Sequence, residues 1–91
     1  MLPARLKTAR LRAHLTQEKL GVLAGIEEET ARSRVSQYEG GIHRPTFEMM
    51  CAFAKVLDVP ECYFYTVNDD FAEMVLGLYL KHKKLVECPR T

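Results

Sequence analysis

The chain has 91 residues, of which 47% are hydrophobic, 27% charged and 9% aromatic, and its formal charge is +1. These proportions fit one small globular domain and exclude a disordered or multidomain chain, since so short a sequence buries only roughly 60–65% of the surface it exposes when unfolded. Its 13 basic and 12 acidic residues give no overall basic footprint for a nucleic-acid partner, so what matters is where the charges sit.

Apolar residues recur at spacings of three and four with no sustained alternation, which predicts an all-α fold. A first helix spans about residues 3–13, opened by Pro3, with Leu2, Leu6, Ala9 and Ala13 on one face and Arg5, Lys7, Arg10 and Arg12 on the others. Thr16 caps a second helix over about 17–24, and Gly25 ends it. Ala31, Val35 and Tyr38 form the apolar stripe of a third helix, stopped near Glu39 by Gly40-Gly41. Thr46 caps a fourth over 47–57 with Met50, Phe53, Ala54 and Leu57 inward, and a short fifth follows Val59-Pro60 through Phe64. Asn68-Asp69-Asp70 caps a sixth over about 71–83, acidic at its start and basic at its end as the helix dipole prefers.

Met1-Leu2-Pro3-Ala4 leads straight into Arg5 and Lys7, with no apolar leader, and no segment has the roughly 18–20 apolar residues of a membrane span; a cytoplasmic protein is expected. Cys51, Cys62 and Cys88 show no paired spacing and His14, His43 and His82 are scattered, so neither a metal site nor another cofactor is expected. Cys51 and Cys62 read as small core residues and Cys88 as exposed tail. No His/Cys/Asp set has a spacing suited to hydrolysis, so an enzyme is not expected.

Leu6, Arg10, Leu15-Thr16-Gln17-Glu18, Leu20, Ala24-Gly25-Ile26, Val35-Ser36, Glu39-Gly40, Arg44-Pro45 and Ala54 with Leu57-Asp58-Val59 stand in an order that resembles the Cro and phage-repressor helix-turn-helix family, the XRE-like transcriptional regulators, over residues 4–66. The resemblance implies a five-helix, lambda-repressor-like DNA-binding domain over 1–67, with a C-terminal amphipathic helix over 68–87 and a tail over 88–91. It also implies that the third helix lies in the major groove of double-stranded DNA. With Val35 taken as that helix's buried position, Arg32, Ser33, Arg34 and Gln37 are the base-contacting candidates. Their chemistry suits the role, because arginine can grip guanine and glutamine adenine bidentately. Gln17, Ser36, His43 and Arg44 are the phosphate candidates, Gln17 by side chain and backbone amide together and Arg44 by its permanent charge. Arg10 and Glu39 match an ion pair that braces the third helix against the first.

One departure stands out. Gly25 and Val35 are further apart than the family's usual spacing by roughly four residues, about one turn of helix. The extra length either enlarges the helix-turn-helix turn or starts the third helix early, and it brings in Glu27, Glu28 and Glu29, whose carboxylates repel phosphate unless they point away.

Phe71, Met74, Val75, Leu78, Tyr79 and Leu85 repeat at helical spacing, with Leu76 and Leu80 widening the face. That is more apolar surface than one docked helix uses, so Phe71, Val75, Leu76, Leu78, Tyr79 and Leu80 are expected at a homodimer interface, pairing two recognition helices on a palindromic operator. The expected function is sequence-specific transcriptional regulation, with repression as its form. The alternative is an interaction module or antitoxin that keeps the fold and holds a protein partner through its C-terminal helix.

Overall fold

Leu6, Leu20, Val35, Met50, Phe53, Tyr63 and Phe64 are fully removed from solvent, and every helix before the C-terminal one contributes to that set. The computed structural model describes residues 1–87, with side chains as far as Lys84. Its elements are α1 (Pro3–Arg12), α2 (Gln17–Leu23), α3 (Glu28–Glu39), α4 (Phe47–Leu57), a 3-10 helix (Glu61–Phe64) and α5 (Asp69–Glu87), with no strand among the described residues. The all-α expectation holds, although the fifth segment is a single 3-10 turn and α5 starts earlier and ends later than the sequence pattern suggests.

Local chemistry sets the boundaries. The Oγ1 atoms of Thr16 and Thr46 accept from the backbone N–H of Lys19 and Met49, and Oδ1 of Asn68 accepts from Phe71, so α2, α4 and α5 each start on a side-chain cap. The first three helices end alike. After α2, Gly25 (φ 99°) donates to the Val22 carbonyl and Ile26 to that of Gly21; after α3, Gly41 (φ 76°) donates to Tyr38 and Ile42 to Gln37. After α1 the same left-handed position is held by His14 (φ 59°), whose N–H reaches Leu11 while that of Leu15 reaches Arg10. Each pair satisfies carbonyls that a helix end would leave without partners and reverses the chain within two residues.

The α2–α3 pair is the tightest contact in the fold. A Cβ placed on Gly21 would stand 2.7 Å from that of Ala31, so the two helices meet backbone to side chain at this crossing. The connection between them is only Ala24-Gly25-Ile26-Glu27. The extra turn of residues therefore does not enlarge the helix-turn-helix turn. It lengthens α3, whose 12 residues begin at Glu28, where Glu28 and Glu29 face the positive end of the helix dipole.

α5 is seated differently. Ala72 is buried and Leu76 packs on the core, but the remaining ties are polar. The Arg5 guanidinium donates to the Thr66 carbonyl and pairs with Asp69, both at 2.8 Å, and lies over the Tyr63 ring. Arg12 pairs with Glu73 at 3.0 Å, while Tyr79 Oη and Lys83 Nζ both donate to Asp58. The hydrogen bond to Glu73 holds the Arg12 pKa above its ordinary value, and burial pushes the Tyr63 and Tyr79 phenols up. Among these ties lies an apolar cleft of about 230 Å³ lined by Ala13, Leu57, Val59, Leu76 and Leu80.

Two expectations change here. Cys62 is exposed and Cys51 only partly buried, because the 3-10 turn directs Tyr63 and Phe64 inward and leaves Cys62 on its outer side. Leu76 packs on the core instead of facing outward, while Leu80 lines the cleft and stays 46% exposed. Cys88 and the 88–91 tail lie outside the described residues, as does the Leu85 side chain.

Candidate nucleic-acid interface

α3 turns Ala31, Val35 and Tyr38 into the core, which leaves its other residues to form two shoulders and an outer face. Arg32 and Arg34 are two positions apart, about 200° around the helix, and stand on opposite shoulders. Arg32 joins Lys7, Thr16, Gln17 and Glu18 around an open groove where α1, the start of α2 and α3 converge. Arg34 is turned away from that groove. Its Nη2 donates to Tyr38 Oη at 2.7 Å, and its guanidinium carbon lies 5.8 Å from the centre of the same ring. Ser36 is exposed and continues the Arg32 side of the helix, Ser33 is exposed at the middle of the outer face, and Gln37 is partly buried toward the Arg34 side.

Gln17 sits at the groove floor with its Nε2 donating to Glu39 Oε1 at 3.1 Å. Thr16 is occupied as the cap. The Arg10–Glu39 pair expected from the sequence is present as a fork, with Nε to Oε2 at 2.6 Å and Nη2 to Oε1 at 3.2 Å, and side chains only 10% and 5% exposed. The third donor, Nη1, goes to the Leu15 carbonyl at 2.9 Å, so the buried charge is well supplied with partners. It joins the end of α3 to α1 and to the start of α2.

His43 and Arg44 are exposed on the segment after α3, which is held back by N–H groups of Ile42 and His43 on the Gln37 carbonyl. They lie on a separate stretch of chain from the Lys7–Gln17–Arg32 groove, with Gly41 against Pro3. Lys7 is the residue that the sequence candidates missed. Among the four cations of α1, Arg5, Arg10 and Arg12 are engaged by Asp69, Glu39 and Glu73, and Lys7 alone has no carboxylate partner among the described residues. No local signal marked it, because the carboxylates that engage the three arginines lie 29 to 64 positions away along the chain.

Next to this groove, and sharing Glu18 with it, is a second open depression lined by Glu18, Glu27, Glu28 and Glu29. The front of the molecule is thus divided into a cationic half, with Lys7 and Arg32 flanking an amide, and an acidic half carried by the first turns of α2 and α3. Among the described residues no three His, Cys, Asp or Glu side chains form a group that could hold a metal, and no helix is long and apolar enough to cross a membrane.

Two short helices joined by a four-residue turn and packed this closely, with a polar groove at their front, define a helix-turn-helix unit. The profile of the Helix-turn-helix family matches residues 6–64, and the chain belongs to that family. Among solved structures it is similar to the crystal structure of the transcriptional regulator BswR, at 39% identity over 94% of this chain and 89% of that one, with a TM-score of 0.84. Curated proteins give no significant match.

Proposed function

We propose that this protein is a sequence-specific DNA-binding transcriptional regulator that represses by occupying an inverted-repeat operator as a homodimer. The observation that carries the reading is the groove of Lys7, Gln17 and Arg32 beside the exposed row Arg32, Ser33 and Ser36 on α3. It sets a cation and an amide beside a face that offers hydroxyls and a guanidinium to base edges. Similarity to a protein titled as a transcriptional regulator supports the same class. Base reading falls to Arg32 and Ser33, with Gln37 and Arg34 at the margin; phosphate binding falls to Lys7, Gln17 and Ser36, and to His43 and Arg44 on the following segment. Residues 1–67 act as the DNA-binding domain and the helix after it as the pairing element, through Phe71, Met74 and Leu78, with the half-buried Val75 at the edge.

The test is recovery of bound sequences from random duplex DNA at several salt concentrations. An inverted repeat with half-sites about one DNA turn apart, roughly 34 Å, supports the operator and the dimer together. Equal, steeply salt-dependent binding to all sequences reduces the reading to electrostatic association. Absence of binding at low salt transfers it to a protein-interaction module, the reading favoured by the acidic half of the front face.

A further inference from the structure

We infer that Glu39 is a positioning residue for the phosphate contact of Gln17, an inference that rests on the DNA-binding reading above. The carboxylate is 95% buried, and the Arg10 fork prevents its rotation. A carboxylate can only accept hydrogen bonds, so of the two ends of the Gln17 amide it admits only the nitrogen. Nε2 does face it, at 3.1 Å.

That choice has a consequence at the groove. A side-chain amide free in water turns over and shows oxygen or nitrogen at random, and an oxygen toward phosphate is repelled. With one Nε2 hydrogen held by Glu39, the second remains as a donor on a side chain that already borders the groove of Lys7 and Arg32. A phosphate oxygen is an acceptor only and takes that hydrogen. The rotamer freedom of Gln17 is already lost in the free protein, so binding does not have to remove it. The negative charge of Glu39 does not oppose the phosphate, because Arg10 neutralises it in a bidentate pair. Arg10 acts on Glu39, Glu39 on Gln17, and Gln17 on the DNA.

A brace that only stabilises α3 predicts something different, and a double-mutant cycle separates the two roles. Affinities of Gln17→Ala, Glu39→Gln and the double variant are measured on the recovered duplex at fixed salt, each protein being checked for its melting transition. Glu39→Gln leaves an oxygen for Arg10 but sets an N–H2 group against Gln17. The expected result is a loss of roughly tenfold for each single change and no further loss in the double, because both remove the same oriented donor. Losses that multiply in the double variant overturn the inference. Should Glu39→Gln fail to fold, relaxation of the Gln17 side-chain amide in the free wild-type protein decides: an amide as rigid as the helix backbone supports positioning, and one that averages like a solvent-exposed glutamine overturns it. Failure of the DNA reading is seen separately, as wild-type protein that binds no duplex at low salt.

Discussion

α3 and α5 dock on one core and end in different relations to water. α3 is held by a near-contact of Gly21 and Ala31 and by a buried, fully bonded ion pair, and it presents hydroxyls, a guanidinium and carboxylates outward. α5 is held by half-exposed ion pairs about an apolar cleft, and it presents Phe71, Met74 and Leu78 outward at 54%, 63% and 67% exposure. The contrast suits the two tasks proposed for these helices. A helix that reads base edges has to be fixed to within a fraction of an ångström while staying hydrated, whereas a helix that pairs with another can gain its order from the apolar contact itself.

The largest expected effect breaks the outward side of α5. A carboxylate introduced at the centre of an apolar interface has no partner, and its burial costs several kcal/mol. Phe71→Glu combined with Leu78→Glu is expected to give a monomer by sedimentation at tens of micromolar, with the melting transition of the helix-turn-helix unit preserved. A protein that sediments identically with and without these changes has no α5-mediated pairing.

Next comes the seating of α3. Gly21→Val adds a Cβ that would stand 2.7 Å from that of Ala31 and two methyl groups beyond it, an overpacking that costs about 1–3 kcal/mol or more. A lowered denaturant midpoint is expected, together with faster amide exchange in both α2 and α3, since the crossing holds them as one unit. Then the two shoulders of α3 can be set against each other. Arg32→Ala is expected to weaken binding to the recovered operator by about 1–3 kcal/mol, the value of a bidentate arginine–guanine pair. Arg34→Ala, at a side chain already engaged with Tyr38, is expected to change it by less than about 0.5 kcal/mol, the ordinary range for a surface substitution. Equal losses in fluorescence anisotropy would put both shoulders on the DNA.

How much of this was legible in the sequence follows the range of the interactions. Helix ends were readable because their causes are local: Thr16, Gly25, Gly40-Gly41, Thr46 and Asn68 act on backbone groups a few residues away. The Arg10–Glu39 pair was readable only through resemblance, the partners being 29 positions apart. The fate of the other α1 cations was not readable at all. Arg12 and Glu73 are separated by 61 positions, and no periodicity marks which arginine will be neutralised by a distant carboxylate and which lysine will be left facing a groove. The stripe Ala31, Val35 and Tyr38 was legible and already sets Arg32 and Arg34 on opposite sides, but only the structure shows Arg34 taken up by Tyr38 and Arg32 beside the groove. Cys62 was misjudged because a single 3-10 turn is too short to show a period.

A modest effect sharpens the account of α5's inner side, where Tyr79 Oη donates to Asp58 beside Lys83. Burial, reinforced by the neighbouring Asp58 carboxylate, raises the Tyr79 pKa above the ordinary phenol value of about 10. The folded state thus binds this proton more tightly than the unfolded chain does. Its contribution is fully present below about pH 10 and is lost as pH rises through the folded-state value, when the unfolded chain releases the proton first and a phenolate would face Asp58. Tyr79→Phe removes both the hydrogen bond and the titration. It is expected to lower stability at neutral pH by about 0.5–1.5 kcal/mol, the net worth of one hydrogen bond, and to flatten the alkaline decline in melting temperature. Tyr63, raised by its own burial, sustains the remaining decline, so the two curves converge above pH 10 without the variant's becoming level. Coincident curves would mean that Tyr79 contributes only its ring, which phenylalanine keeps, to the seat of α5, and that the helix is held at this end by Lys83 and Asp58.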